Sequence, residues 1–240
     1  MSLRSAKLIK TRRKEEVFLA FLLPLHSNLI NMHENPKWTD YRVSLKDRIV
    51  EKSLQLFASQ GIKAVKMDDI ARSLNISKRT LYEVYDNKET LLVEVIQKAR
   101  TDEEEALSQL AGRSRNVMEM MLNIYYYKTE QMKDTNPQFF IDLEKYPSVM
   151  QMLHRNHQKT HDDFIRFVKR GVKEGYFRSD IDYELVALML EGFSEQARSK
   201  HLFQKYSLQA IFLNHVFVII RGFCTQKGIG FLDEFMKPTN

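Results

Sequence analysis

From Leu45 onward the apolar positions of the chain recur with a helical period. Ile49, Ser53 and Leu56 fall on one stripe, and Val50, Leu54 and Phe57 flank it at i, i+4, i+7, the spacing of a helix with one buried face. Gly61 ends the pattern, because the left-handed backbone that satisfies the last carbonyls of a helix favours glycine. A short helix is predicted over 67–74, burying Ile70, Ala71 and Leu74. The run Leu74-Asn75-Ile76-Ser77 predicts a sharp turn, since Asn is the non-glycine residue that best tolerates the left-handed conformation. Ser77 is a natural N-cap for a third helix over 78–85. That helix buries Leu81 and Val84 or Tyr85, and leaves Lys78, Arg79, Thr80, Tyr82 and Glu83 facing outward.

Asn87-Lys88-Glu89-Thr90 restarts a helix with a cap and an early acidic residue. The spacing of Leu91, Leu92, Val95, Ile96 and Ala99 carries it to about Leu110. All that follows also reads as helix, with breaks at Gly112, Asn136-Pro137, Tyr146-Pro147, Gly175 and near Lys205. The fold class is therefore all-α, about nine helices without a sheet. Three regions are expected: an N-terminal extension over 1–43, a three-helix unit over 44–90, and a helical body over 91–240.

Composition narrows the class. The chain has 240 residues, 43% of them hydrophobic and 28% charged, the balance of an ordinary globular protein. Apolar runs such as Val17 to Leu25 fall well short of the roughly 18 residues of a membrane span. The single cysteine, Cys224, excludes an intrachain disulfide, lies in an apolar periodic stretch, and suits a reducing cytoplasm.

The placement of charge says more than its total of +6. Residues 1–43 hold eight Lys/Arg against four Asp/Glu, residues 44–90 nine against seven, and residues 91–240 twenty against twenty. A neutral body beneath a basic end is expected where only that end meets a polyanion. Within the first 43 residues, basic positions precede Val17 to Leu25 in loose imitation of a signal peptide, but no A-x-A-like cleavage site follows. Three readings stay open there: a true start at Met32, with 1–31 foreign to the native protein; a basic arm adding phosphate contacts; or an extra helix.

Residues 46–95, KDRIVEKSLQLFASQGIKAVKMDDIARSLNISKRTLYEVYDNKETLLVEV, resemble the DNA-binding domain of the TetR family of regulators. The telling elements are Leu56-Phe57-Ala58, Gly61, Asp69-Ile70-Ala71, Ile76-Ser77, Thr80-Leu81-Tyr82 and Lys88-Glu89 followed by Leu91-Leu92. Further on, Lys173 to Arg178 and Asp180-Ile181-Asp182 are similar to the usual lead-in to that family's last two helices. The resemblance implies a homodimer that reads duplex DNA, with a C-terminal body for dimerisation and for a small-molecule effector not yet identified.

A major groove about 12 Å wide admits one helix, so such a protein presents a short helix on a platform of two others. Ile49, Leu56, Phe57, Ile70, Leu74 and Leu81 are the expected platform core. Lys78 and Arg79 are long enough to reach base edges, and Thr80 to touch a thymine methyl or a phosphate. The resemblance makes Tyr82 and Lys88 backbone clamps. Lys66 stands where the family often has a capping Thr or Ser, and Val84 where an aromatic is frequent. The expected DNA-binding set is Lys66, Ser77, Lys78, Arg79, Thr80, Tyr82 and Lys88.

In the body, flexible thioethers beside aromatic rings suit an adaptable apolar cavity, with Met121, Tyr125, Phe140, Met150 and Phe164 as candidate lining. The dimer surface is expected from Leu185, Leu188, Met189, Gly192, Phe193, Phe212, Val216, Ile219 and Ile220, more apolar surface than two helices of a monomer require. His154, His157 and His161, at i, i+3, i+7, offer a transition-metal face; a solvated polar stripe is the simpler reading, because Arg155, Gln158 and Lys159 crowd it. The expectation is therefore a ligand-released repressor without a cofactor, metal, membrane partner or catalytic residues. Two alternatives stand beside it, a metal-dependent enzyme or sensor built on the histidine face and an architectural protein that binds DNA without sequence preference.

Overall fold

The computed structural model describes residues 40–155, 157–190, 200 and 202–235. Its first helix, α1 (Asp40–Gln60), buries Leu45, Ile49, Val50, Leu54, Phe57 and Ala58 on one side. Ser53 lies on that buried side without an orphaned hydroxyl, since its Oγ donates to the Ile49 carbonyl one turn back at 2.6 Å. Leu56, expected in the core, is only half-buried. The helix stops at Gly61, whose φ of 87° is left-handed, and the Gly61 amide donates to the Phe57 carbonyl at 2.9 Å.

The remaining named helices are α2 (Met67–Ser73), α3 (Lys78–Val84), α4 (Lys88–Arg113), α5 (Val117–Met132), α6 (Gln138–Leu143), α7 (Pro147–Arg155), α8 (His157–Lys173), α9 (Leu202–Lys205), α10 (Leu208–Phe223) and α11 (Gln226–Phe235). Residues 183–190 are also helical. Asp182 starts that stretch, its Oδ1 accepting the amides of Glu184 and Leu185 at 3.0 and 3.1 Å. Among the described residues there is no strand, only an isolated antiparallel bridge between Phe177 and Cys224.

The chain breaks more often than its periodicity suggests. Apolar spacing runs on past Phe223, yet the last helix stops there and α11 begins at Gln226. Thr225 accounts for the break: its hydroxyl donates to the Gly175 carbonyl at 2.8 Å and accepts the Gly228 amide at 3.3 Å.

Two compact units are present. Among the described residues, one holds those up to Glu103 together with Lys133 through Arg155; the other holds Glu104–Met132 and those from His157 onward. The first unit contains α1, α2, α3, the first part of α4, α6 and α7. Its core runs from the α1 stripe through Ile62, Val65, Met67, Ile70, Ala71, Leu81 and Tyr85 to Leu91, Leu92, Val95 and Ile96 of α4. At roughly 1.5–3 kcal/mol for each fully buried large apolar side chain, these contacts hold the two short helices α2 and α3, which would not form alone.

In the second unit α5 buries Val117, Met118, Met120, Met121, Leu122, Ile124 and Met132. The α8 side contributes Phe164, Phe167 and Val168. The Phe177 ring packs edge-on to Phe223 at 5.0 Å and against Phe167 at 5.3 Å. It fills the space beside Gly171 so completely that a Cβ there would overlap the ring. No described helix is long and apolar enough to cross a membrane.

Candidate nucleic-acid interface

The α2–α3 turn is built by two residues of opposite habit. Asn75 has φ of 54°, the left-handed conformation a sharp reversal needs. Ser77 then adopts an extended backbone, φ −70° and ψ 150°, and its Oγ accepts the Thr80 amide at 3.0 Å, satisfying one of the orphan donors at the start of α3. The Ile76 amide bonds back to the Ala71 carbonyl at 3.0 Å. Leu81 is completely buried and Tyr85 nearly so, whereas Val84 and Leu74 are half-buried. One narrow edge of α3 thus faces the platform and the rest faces solvent.

Lys66, Ser77, Lys78, Arg79 and Tyr82 are exposed, and Thr80 is half-exposed. Two of the cations lie in ion pairs. The Lys78 ammonium sits 2.9 Å from Asp68 Oδ1 on α2, and the Arg79 guanidinium 3.0 Å from Glu83 one turn on. The hydrogen bond that Lys78 donates to Asp68, and that carboxylate's charge, raise the Lys78 pKa above its ordinary value, so the ammonium stays charged. Tyr82 lies under the same ammonium, 5.9 Å from ring centre to Nζ. Solvent-exposed pairs of this kind are weak and exchange readily for another anion. Lys66 occupies the N-cap of α2, and its backbone amide is taken by Asp69 Oδ2 at 2.9 Å.

Lys88 is placed differently from the other expected contact residues. Instead of reaching outward as a clamp, its ammonium turns inward and donates to the carbonyls of Ile62 and Val65, 5.7 Å from the Phe57 ring centre. The cause is local: these carbonyls lie in the 61–65 turn between α1 and α2, outside any helix, and buried carbonyls must find donors. Burial lowers the Lys88 pKa, an effect opposed by the charges of Asp142 and Asp69.

The segment around α6 bonds to the end of α1 and to the turn. The Asn136 amide donates to the Ala58 carbonyl at 2.7 Å, and Asp142 Oδ2 accepts the Lys63 amide at 2.7 Å. Asp142 is fully buried. Burial pushes its carboxyl pKa up, but hydrogen bonds from Lys145, the Lys63 amide and Gln138 outweigh that and hold it below the ordinary value. No local signal in the sequence marks the bond between Asp142 and the Lys63 amide, which lie 79 positions apart.

The candidate effector residues divide between the units. Met121 and Phe164 are buried and Tyr125 half-buried in the second, whereas Phe140, nearly buried, and Met150, half-buried, belong to the first. Tyr125 packs edge-on against Phe217 at 4.8 Å, and Phe140 against Phe139 at 5.2 Å.

On the expected dimer surface, Leu185, Leu188 and Met189 are 56%, 60% and 66% exposed, and Ile219 is half-buried. Ile220 is different, since its side chain is buried within its own chain. Gly192 and Phe193 lie outside the described residues, as do the side chains of Phe212 and Val216. Of the three histidines, the side chains of His154 and His157 lie outside what is described, and His161 Nε2 is 2.7 Å from Glu184 Oε2.

Comparison with known proteins accords with this geometry. Residues 49–95 match the family model of bacterial regulatory proteins, tetR family. The chain is 23% identical over 193 residues to the biofilm operon icaADBC HTH-type negative transcriptional regulator IcaR of Staphylococcus epidermidis, covering 70% of this chain and 99% of that protein. It is also 23% identical over 155 residues to the HTH-type transcriptional repressor KstR2 of Mycolicibacterium smegmatis, covering 60% and 72%. In fold it is similar to a TetR family regulator from Cytophaga hutchinsonii, with a TM-score of 0.60 at 16% identity over 79% of this chain and all of that one. Residues 49–95 thus carry a DNA-binding domain of the tetR type, on a chain similar in sequence to regulators of transcription.

Proposed function

We propose that the protein is a ligand-released repressor that binds a pseudo-palindromic operator as a homodimer. One observation carries the DNA reading: α3, capped by Ser77, holds Lys78, Arg79 and Tyr82 exposed above a trihelical core buried at Leu81. Lys78 and Arg79 donate to base edges, where an Arg or Lys on guanine is the commonest specific contact. Lys66, Ser77, Thr80 and Tyr82 meet the phosphate backbone and set register. Lys88 supports the platform from within. The repressor sign is supported by the names of the two relatives, one a negative regulator and one a repressor.

A dimer holding two copies of α3 about 34 Å apart fits successive major grooves, and the exposed Leu185, Leu188 and Met189 supply apolar surface for it. An effector bound in the C-terminal body lowers DNA affinity by its preference for the state whose spacing does not fit. Met121, Tyr125 and Phe164 are the candidates in the second unit, and Phe140 and Met150 in the first.

The test is footprinting of the purified protein on the DNA upstream of its own gene, over a salt series. Two protected half-sites about one helical turn apart, with affinity falling steeply as salt rises, are expected. Absence of salt-sensitive binding to any duplex overturns the reading.

A further inference from the structure

The peptide group joining Ile62 to Lys63 is held at both ends. Its carbonyl accepts from the Lys88 ammonium, and its N–H donates to Asp142 Oδ2 at 2.7 Å. No cis peptide occurs among the described residues, and in a trans peptide the carbonyl and the N–H point in opposite directions. Asp142 and Lys88 therefore grip one rigid plane from opposite sides, a carboxylate on the donor end and an ammonium on the acceptor end. Lys88 takes the Val65 carbonyl as well, fixing the far end of the turn.

This turn is the only covalent path from α1 to α2, and it has no slack at its near end. A Cβ at Gly61 would come within 3.0 Å of Gln138 Cγ and 3.4 Å of Asp142 Oδ2, so α6 lies directly against the helix stop. Gln138 and Lys145 each donate to Asp142 Oδ1 at 2.9 Å, which leaves Oδ2 aimed at the Lys63 amide.

We propose that Asp142 is a positioning residue for DNA reading: gripping the 62–63 peptide against Lys88, it makes the pitch of α2, and of the recognition helix α3 packed on it, follow the position of α6. This rests on the DNA-binding role proposed above. The carboxylate touches no DNA and acts through the turn. A displacement of α6 is carried to α2 as movement of a single peptide plane, whereas without the carboxylate the turn swivels about Lys88.

The experiment uses the full chain, wild type and Asp142→Asn, with Lys145→Met as a variant that removes one partner of Asp142 without touching the turn. Amide hydrogen exchange is read without DNA; affinity is read on a labelled duplex selected by the wild-type protein from a random pool. In Asp142→Asn the Lys63 amide is expected to exchange at least about tenfold faster while Leu91 to Ile96 stay protected. Affinity is expected to fall about tenfold with an unchanged salt slope, because no phosphate contact is lost. Lys145→Met is expected to keep the Lys63 amide slow and affinity within about twofold.

Unchanged exchange at Lys63, faster exchange with unchanged affinity, or a uniform loss of protection across the core overturns the proposal. Should Asp142→Asn fail to fold, Asp142→Glu keeps the charge but displaces the carboxylate by one methylene from the Lys63 amide; faster Lys63 exchange in it supports the grip, and unchanged exchange overturns it. If the wild-type protein selects no duplex, the DNA reading falls with the positioning role, while the exchange measurement decides the peptide grip by itself.

Discussion

Lys78 and Asp68 join the two helices of the helix-turn-helix through an ion pair of 2.9 Å. On the role proposed for Lys78, the pair competes with DNA for the same ammonium. Asp68→Ala is therefore expected to raise affinity for duplex DNA a few-fold at low salt, with the gain shrinking as salt screens the original pair. Fluorescence anisotropy over a salt series checks it. Weaker binding by the variant would instead make Asp68 a support that holds Lys78 in its reading position.

Asn75 bears the backbone conformation of the turn. Because φ there is 54°, Asn75→Ala is expected to cost about 1 kcal/mol, and Asn75→Gly to be close to neutral. Thermal unfolding of the two variants compares them directly. Equal loss in both would assign the effect to a contact of the Asn side chain.

Lys88 should behave as a structural residue in titrations of DNA binding. Lys88→Met leaves the Ile62 and Val65 carbonyls without their donor, at a cost of about 1–3 kcal/mol in stability. The slope of log affinity against log salt is expected to stay at the wild-type value, whereas loss of a phosphate contact lowers it by about 1. A reduced slope with unchanged stability would return Lys88 to the role of a clamp.

His215 ties stability to pH. It is buried on α10, and burial pushes its pKa down to about 4 from an unfolded value near 6.5. Between those values the unfolded chain binds the proton more readily, so stability is complete above about pH 6.5 and declines as pH falls toward 4. Allowing for partial solvent contact, the loss is on the order of 2 kcal/mol. Urea unfolding at pH 7 and pH 5 measures it, and His215→Gln is expected to flatten that part of the profile. An unaltered profile in the variant would place the proton elsewhere.

Leu188 tests the proposed dimer. Exposed at 60% beside Leu185 and Met189, it is expected to become a like-charge repulsion across a twofold axis in Leu188→Glu, giving monomers at micromolar concentration in sedimentation velocity. Persistence of dimers would move the interface to another face.

The parts of this molecule legible in its sequence are those written by short-range chemistry. Gly61, Asn75, Ser77 and Asn87 each act on backbone groups within four positions, and all four mark turns or helix starts seen in the structure. Direction over longer range was not legible. Lys88 can point out or in, and the choice depends on carbonyls 23 and 26 residues earlier. Ile220 shares the apolar period of its neighbours, which does not separate a face buried in the same chain from one offered to a second copy. Phe140 and Met150 belong to a different unit from Met121, and composition does not tell which unit each helix joins.

Gly171 and Phe177 constrain how this protein can change. Any single-base change in a glycine codon that alters the amino acid adds at least a Cβ, and at position 171 that atom meets the aromatic ring. Shrinking the ring first leaves a void beneath Phe167 and Phe223. Each one-step route passes through a weakened intermediate, so the two positions are expected to be inherited as a pair, and exchanged, where they are exchanged at all, together.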